Sequence, residues 1–245
     1  MENQTISRDR YYPYYIQIRH ILLDRINNGV YEYGKRLPAE SILAKEFSVT
    51  RVTLRKALEM LREEGVLTSS RGIGWTVIHR RIEQKLTSSY WFGLEVGDTG
   101  MSTKSTIINT SLGPIPSSVQ RYFRQEDLGQ SVYEIVRLRS YQESPISLEY
   151  SYVPEHIARG IDQRIKENES LIQLLRGTYH ISVGRSTEYL SPQLSRPYES
   201  ELLGIHLDSP VFETTRMTFS TSHKIIEVRR SIIRGDKVVF RKDFP

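Results

Sequence analysis

The sequence predicts an α+β chain in two parts: three helices closed by a β-hairpin, then a longer region built on an antiparallel sheet. Three observations predict it. Apolar residues over the first 65 positions recur at helical spacing. Two strand-like runs joined by the basic glycine turn Arg71-Gly72-Ile73-Gly74 follow them. Beyond residue 86, six β-rich runs are interspersed with short helical stretches, the pattern of an antiparallel sheet with helices packed on it.

The first helix is expected over 13–28, with Ile18, Ile21, Leu22 and Ile26 on one face and Gln17, Arg19, Asp24 and Arg25 between them. Asn27-Asn28-Gly29 ends it, because Asn and Gly accept the left-handed backbone of a helix C-terminus. Residues 31–38 contain Gly34 and Pro38 and read as a loop. A short second helix runs from about Ala39 to Phe47, with Ile42, Leu43 and Phe47 expected to face inward. After the turn Ser48-Val49-Thr50, the Thr50 oxygen is placed to cap a third helix. Leu54, Ala57, Leu58 and Leu61 form its apolar stripe, and Gly65 closes it. Val66–Ser70 and Trp75–Ile78 flank the glycine turn as strands. Together these elements, over 10–78, make the winged helix-turn-helix plan.

Residues 79–85, HRRIEQK, are charged and free of Gly and Pro, and are read as a linker. The second part, 86–245, is expected to hold strands at 103–111, 132–142, 146–153, 181–190, 211–220 and 225–234. Helices are expected at about 117–123, 170–177 and 194–203.

Charge sharpens this division. The chain carries 34 Lys and Arg against 29 Asp and Glu, a net +5. Residues 1–80 hold 13 basic and 9 acidic residues, so +4 of that excess lies in the first third. A polyanion would be drawn to that end. There is no cysteine, which rules out a disulfide framework or a thiolate metal site. No apolar run approaches the roughly 20 residues of a membrane span, and no signal peptide is visible at the polar start of the chain. These features fit a cytoplasmic protein with no membrane association.

In the third helix Arg51, Thr53 and Arg55 fall in the first turns, opposite the apolar stripe. A recognition helix presents its N-terminal residues to base edges in the major groove. There an arginine can donate two hydrogen bonds to O6 and N7 of guanine, while threonine hydroxyls suit phosphate oxygens. The residues from Tyr14 to Val77 resemble the DNA-binding domain of the GntR superfamily of bacterial regulators. The resemblance rests on Arg36-Leu37-Pro38-Ala39-Glu40, on Val49-Thr50-Arg51-Val52-Thr53-Leu54-Arg55-Lys56-Ala57-Leu58, on Gly65 and on the glycine wing. It implies base or phosphate contacts from Arg36, Arg51, Thr53, Arg55, Arg71 and Gly72. Two positions depart from the family pattern. Ser41 stands where Arg is frequent, and Trp75 where Thr is common.

The remaining two thirds resemble the UTRA effector domain of the HutC branch, whose fold is similar to chorismate lyase. The resembling stretches are 86–89, 136–139, 145–154, 203–204 and 226–236. In members that sense phosphorylated sugars, such positions hold an anion and sugar hydroxyls. The matching residues here are Thr87, Ser88, Arg137, Arg139, Glu149, Ser170 and Glu227. Arginine suits phosphate, a helix start favours an anion, and carboxylates accept from hydroxyls. The same Arg137 and Glu149 would equally serve as a structural ion pair across neighbouring strands. Ile172 and Ile233 stand where amino-sugar-phosphate sensors often place Tyr, which points to a different ligand.

The six histidines are scattered without metal-ligand spacing, and no nucleophile–base pair stands out, so neither a cofactor nor a catalytic residue is expected. The expectation is a homodimer on palindromic double-stranded DNA, usually a repressor, controlled by a small metabolite with a sugar phosphate as one candidate. A constitutive DNA-binding protein and a lyase-like enzyme are the alternatives.

Overall fold

A computed structural model of the chain describes residue 6 and residues 12–70, 74–78, 82–85, 95–96, 101–141 and 143–242. The chain divides into two compact units, Met1–Arg81 and Ile82–Pro245.

The first unit contains α1 (Tyr14–Asn27), α2 (Glu40–Glu46), α3 (Arg51–Glu63), β1 (Leu67–Ser70) and β2 (Gly74–Val77). Its core is built from one stripe per helix: Ile18 and Leu22 of α1, Leu43 of α2, and Leu54, Ala57, Leu58 and Leu61 of α3, all fully buried. Leu67, Trp75 and Val77 of the hairpin close it. Ile42, expected to face inward, is instead exposed. The inward residues are Leu43, Ala44 and Phe47, and Ile42 lies about 100° around the helix from Leu43. Thr50 caps α3 as expected, its Oγ1 accepting from the Thr53 backbone N–H at 3.2 Å. Residues after α1 and α3 turn through left-handed glycines, Gly29 at φ 74° and Gly65 at φ 67°.

The loop ahead of α2 is more regular than the sequence suggested. Leu37 N–H donates to Trp75 C=O at 2.9 Å, and Val77 N–H donates to Lys35 C=O at 3.0 Å. Arg36 therefore pairs with Thr76 alongside the hairpin. The wing tip, with the expected contacts Arg71 and Gly72, lies outside the described residues.

The second unit is organised by a six-stranded antiparallel sheet in the order β6-β7-β8-β11-β10-β9. The strands are β6 (Lys104–Pro114), β7 (Ser131–Tyr141), β8 (Ser144–Pro154), β9 (Val183–Leu194), β10 (Pro210–Ser220) and β11 (Ile225–Arg234). All six strands expected from sequence are present. The helices are α4 (Ser117–Gln120), α5 (Ile161–Arg164), α6 (Leu171–Gly177) and α7 (Pro197–Leu203). The last was expected from 194. It starts later because β9 runs to Leu194 and Pro197 fits the first helical turn.

Of the stretch read as a linker, 79–85, residues Ile82–Lys85 form a strand, β3, paired in parallel with β12 (Val238–Arg241). Ile82 joins Ile146, Ile233 and Val238 in a small apolar cluster. A short pair, β4 (Glu95–Val96) with β5 (Met101–Ser102), precedes the main sheet.

Both faces of the central strands are buried. One face packs Val136, Leu148, Val228 and Ile232 in apolar clusters that take in residues of α4 and α7. The other carries Tyr133, Ile135 and Val153 in a cluster with residues of α5 and α6. Next to these, on that same face, the alternating residues turn polar. No helix among the described residues is long and apolar enough to cross a membrane.

Candidate DNA-binding and effector sites

The stripe that α3 buries fixes what it exposes. Arg51, Val52 and Arg55 project from its first turns into solvent. Val52 is 81% exposed, an unusual position for a β-branched side chain and one the sequence reading passed over. Thr53 is half-buried, and its hydroxyl lies 3.0 Å from that of Thr50, so it is partly committed to the cap. Arg36 is exposed beside the hairpin.

Arg55 is engaged within the unit. Its Nη2 donates to Glu40 Oε2 at 2.8 Å and its Nε to Oε1 at 3.4 Å. Glu40 also accepts from the Trp75 indole N–H at 2.9 Å. Burial acts to raise the Glu40 carboxyl, but these donors outweigh it and hold it below the ordinary range. Nothing in the sequence reading had joined Glu40 or Trp75 to Arg55.

In the second unit the register assembles the polar face. One rung runs Ile107, Arg137, Glu149, Ser231, Thr214, Leu190 across the six strands. The next runs Ile135, Ser151, Arg229, Arg216, Glu188. Thr218 faces Glu227 a further step along, and Arg139 faces Ser147 on the other side. Residues two apart in a strand share a face, so these side chains converge.

The burial is deep. Arg137 is 1% exposed and Glu149 fully buried. Glu149 is ion-paired to Arg139 Nε at 2.9 Å and to Arg137 Nη2 at 3.4 Å. Burial alone would raise its carboxyl, but Arg139, Arg229 and Arg137 hold it well below the usual carboxylate range. Burial lowers Arg137 to about 10 against the pull of Glu149, which leaves it cationic at neutral pH. Arg137 Nη1 donates to the Glu169 backbone C=O at 3.2 Å, which ties β7 to the start of α6. There Ser170 accepts from Gln173 N–H at 3.4 Å.

Glu227 accepts from Ser151 at 2.8 Å through Oε1, while its Oε2 has no hydrogen-bond partner. Ser147 Oγ, Ser105 Oγ and Arg137 Nε are also buried without one. Buried polar atoms are normally paired, so such a cluster suits a polar ligand. Arg137, Arg139, Glu149 and Glu227 are thus brought to one face, with Ser170 linked through its neighbour Glu169. Thr87 and Ser88 lie outside the described residues. Sequence reading missed Ser151, Glu188, Arg216 and Arg229. The strand alternation Glu227, Arg229, Ser231 was the signal that could have found the last.

An exposed cationic helix beside a hairpin, joined to a unit with a buried polar face, defines a DNA-binding transcription regulator with a separate sensing domain. The comparisons agree. Residues 14–77 match the bacterial regulatory proteins of the gntR family, and residues 98–239 match the UTRA domain. The chain belongs to the GntR family and carries a UTRA domain. It is 31% identical to the HTH-type transcriptional regulator GgaR of Escherichia coli (strain K12), over 93% of this chain and 90% of that protein. It is 27% identical to the HTH-type transcriptional repressor NagR of Bacillus subtilis (strain 168), over 96% of each. The crystal structure of PhnF from Mycobacterium smegmatis shares the fold, with a TM-score of 0.63 at 24% identity over 93% of this chain and 99% of that one.

Proposed function

We propose that this chain is a homodimeric repressor that acts in the cytoplasm by binding rather than turnover, with α3 in the major groove of a palindromic operator. Arg51 and Arg55 read base edges, while Arg36 and Thr53 hold phosphates. The wing residues Arg71 and Gly72 approach the minor groove, in keeping with the family resemblance. The observation that carries this reading is that α3 buries its entire apolar stripe and leaves Arg51 and Arg55 exposed. The repressor sense is in line with the similarity to NagR.

The effector binds on the polar face of the sheet. A phosphorylated sugar suits it. Arg137 and Arg139 supply donors for the anion, together with the segments holding Ser170 and Thr87-Ser88. Glu149 and Glu227 accept from sugar hydroxyls. The ligand controls DNA affinity by favouring one conformational state over another.

The test uses a duplex selected from a randomised pool by the full-length chain, together with a panel of sugar phosphates. At least one sugar phosphate should raise the melting temperature with dose and change duplex affinity by roughly 5–150-fold. Arg51→Ala should weaken the selected duplex by about 1–3 kcal/mol and leave random DNA unaffected. A panel without effect on either readout overturns the sugar-phosphate assignment, and equal losses on both DNAs make Arg51 a phosphate contact.

A further inference from the structure

We propose that Trp75 and Glu40 are positioning residues for Arg55, and that together they aim it to read a guanine. This rests on the reading that α3 enters the major groove.

The geometry joins three elements of the first unit. Trp75 lies in β2 with its ring buried in the domain core, and its backbone C=O accepts from Leu37 N–H. Its indole N–H is therefore a donor fixed in place, and it points at Oε1 of Glu40, the first residue of α2. Glu40 in turn takes Arg55 of α3 through Nε and Nη2.

The contact is directional. A guanidinium has five N–H donors in a rigid fork. Glu40 takes the side-on edge, one hydrogen from Nε and one from Nη2. The end-on edge, formed by Nη1 and the second Nη2 hydrogen, keeps its donors. That edge matches the O6 and N7 acceptors of guanine. The Arg55 side chain is 63% exposed, so the edge is accessible.

Trp75 makes this arrangement stiff. The Arg55 Nε contact to Oε1 is long at 3.4 Å, and without the indole that oxygen would have no short partner. Holding a long side chain in one orientation before binding removes an ordering cost. The carboxylate also biases the choice of target. A negative charge beside Arg55 weakens its attraction to any phosphate and leaves a wrong base pair facing a carboxylate, a repulsive element that sharpens specificity.

The experiment measures full-length chain binding to the duplex it selects from a randomised pool, and to all single-pair variants of that duplex. Arg55→Ala should flatten the preference for one G·C pair in each half-site. Trp75→Phe keeps an aromatic ring, though a smaller one, in the core and removes the donor. It should reduce the preference at that same pair by about threefold to tenfold, the scale of one ordinary hydrogen bond. Preferences at other pairs, including the one lost in Arg51→Ala, should persist. In the Arg55→Ala background Trp75→Phe should change no preference further. Glu40→Gln approaches the contact from the exposed side and should give the same position-specific loss, even if Trp75→Phe proves too unstable to assay. Unchanged preference at the Arg55 pair in these variants overturns the inference, as does a loss spread evenly over the whole site. If no duplex is enriched, or Arg55→Ala alters no position, the groove reading itself falls and takes this inference with it.

Discussion

In the N-terminal domain the arginines of α3 stand in solvent on a helix whose other side is wholly apolar. In the C-terminal domain Arg137, Arg139, Arg216 and Arg229 lie inside the sheet among Glu149, Glu188 and Glu227. The difference follows from where the counter-charge comes from. A DNA-binding surface receives most of its negative charge from the partner, so a cation such as Arg51 stays hydrated until binding, and even Arg55, paired with Glu40, keeps 63% of its side chain exposed. A site for a small ligand must keep its cations out of water beforehand, and the fold has to supply carboxylates to make that tolerable. One consequence is that Arg51, exposed on α3, contributes little to stability, whereas the arginines of the sheet are bound up with it.

Glu149→Gln gives the largest expected effect. It keeps the shape but leaves Arg137 and Arg139 buried without their shared counter-ion, at a cost of about 3–5 kcal/mol to the C-terminal domain. Arg51→Ala, by comparison, should stay within about 0.5 kcal/mol of the parent protein. Urea unfolding of both variants checks the contrast. A loss for Glu149→Gln as small as that for Arg51→Ala would erase it.

Acid titration tests the same point without mutation. The Glu149 carboxyl sits at about 2 in the folded protein against an ordinary value of 4.5. Its folded value is depressed, so its contribution is fully present above about pH 4.5 and drains away as pH falls towards 2. The melting temperature should drop across that window in the parent protein and be flatter in Glu149→Gln. An identical slope in the two proteins would mean that other carboxyls govern acid unfolding.

A smaller loss than that of Glu149→Gln concerns the exposed side of the comparison. Thr50→Ala removes the cap of α3 and should cost about 1 kcal/mol, read as a lowered midpoint of unfolding. A neutral substitution would show that the Thr53 N–H finds an equally good partner in water.

Most of the architecture was legible because it follows from periodicity. The α3 stripe at Leu54, Ala57, Leu58 and Leu61 and the Thr50 cap both need only local spacing, and all six strands of the main sheet were visible as β-rich runs. What stayed hidden depends on partners distant in sequence. Ile82–Lys85 reads as charged linker because the strand it pairs with is Val238–Arg241. Ile42 was misplaced because its exposure turns on which α2 residues meet α1 and α3. The sites divide in the same way. Arg51 and Arg137 sit in compact motifs, whereas Arg229 gains meaning only when the register lays it against Ser151 and Arg216. The Trp75 link to Glu40 spans 35 positions, and neither residue type announces it.

The pairing of β3 with β12 fastens the first described strand of the C-terminal domain to its last, side by side and running the same way. The domain is therefore a closed belt with its buckle at residues 82–85 and 238–241. Whatever tension reaches the domain at Ile82 is borne by a rung of main-chain bonds to a segment more than 150 residues later. Residues 238–241, which supply no side chain named in either site, hold that clasp.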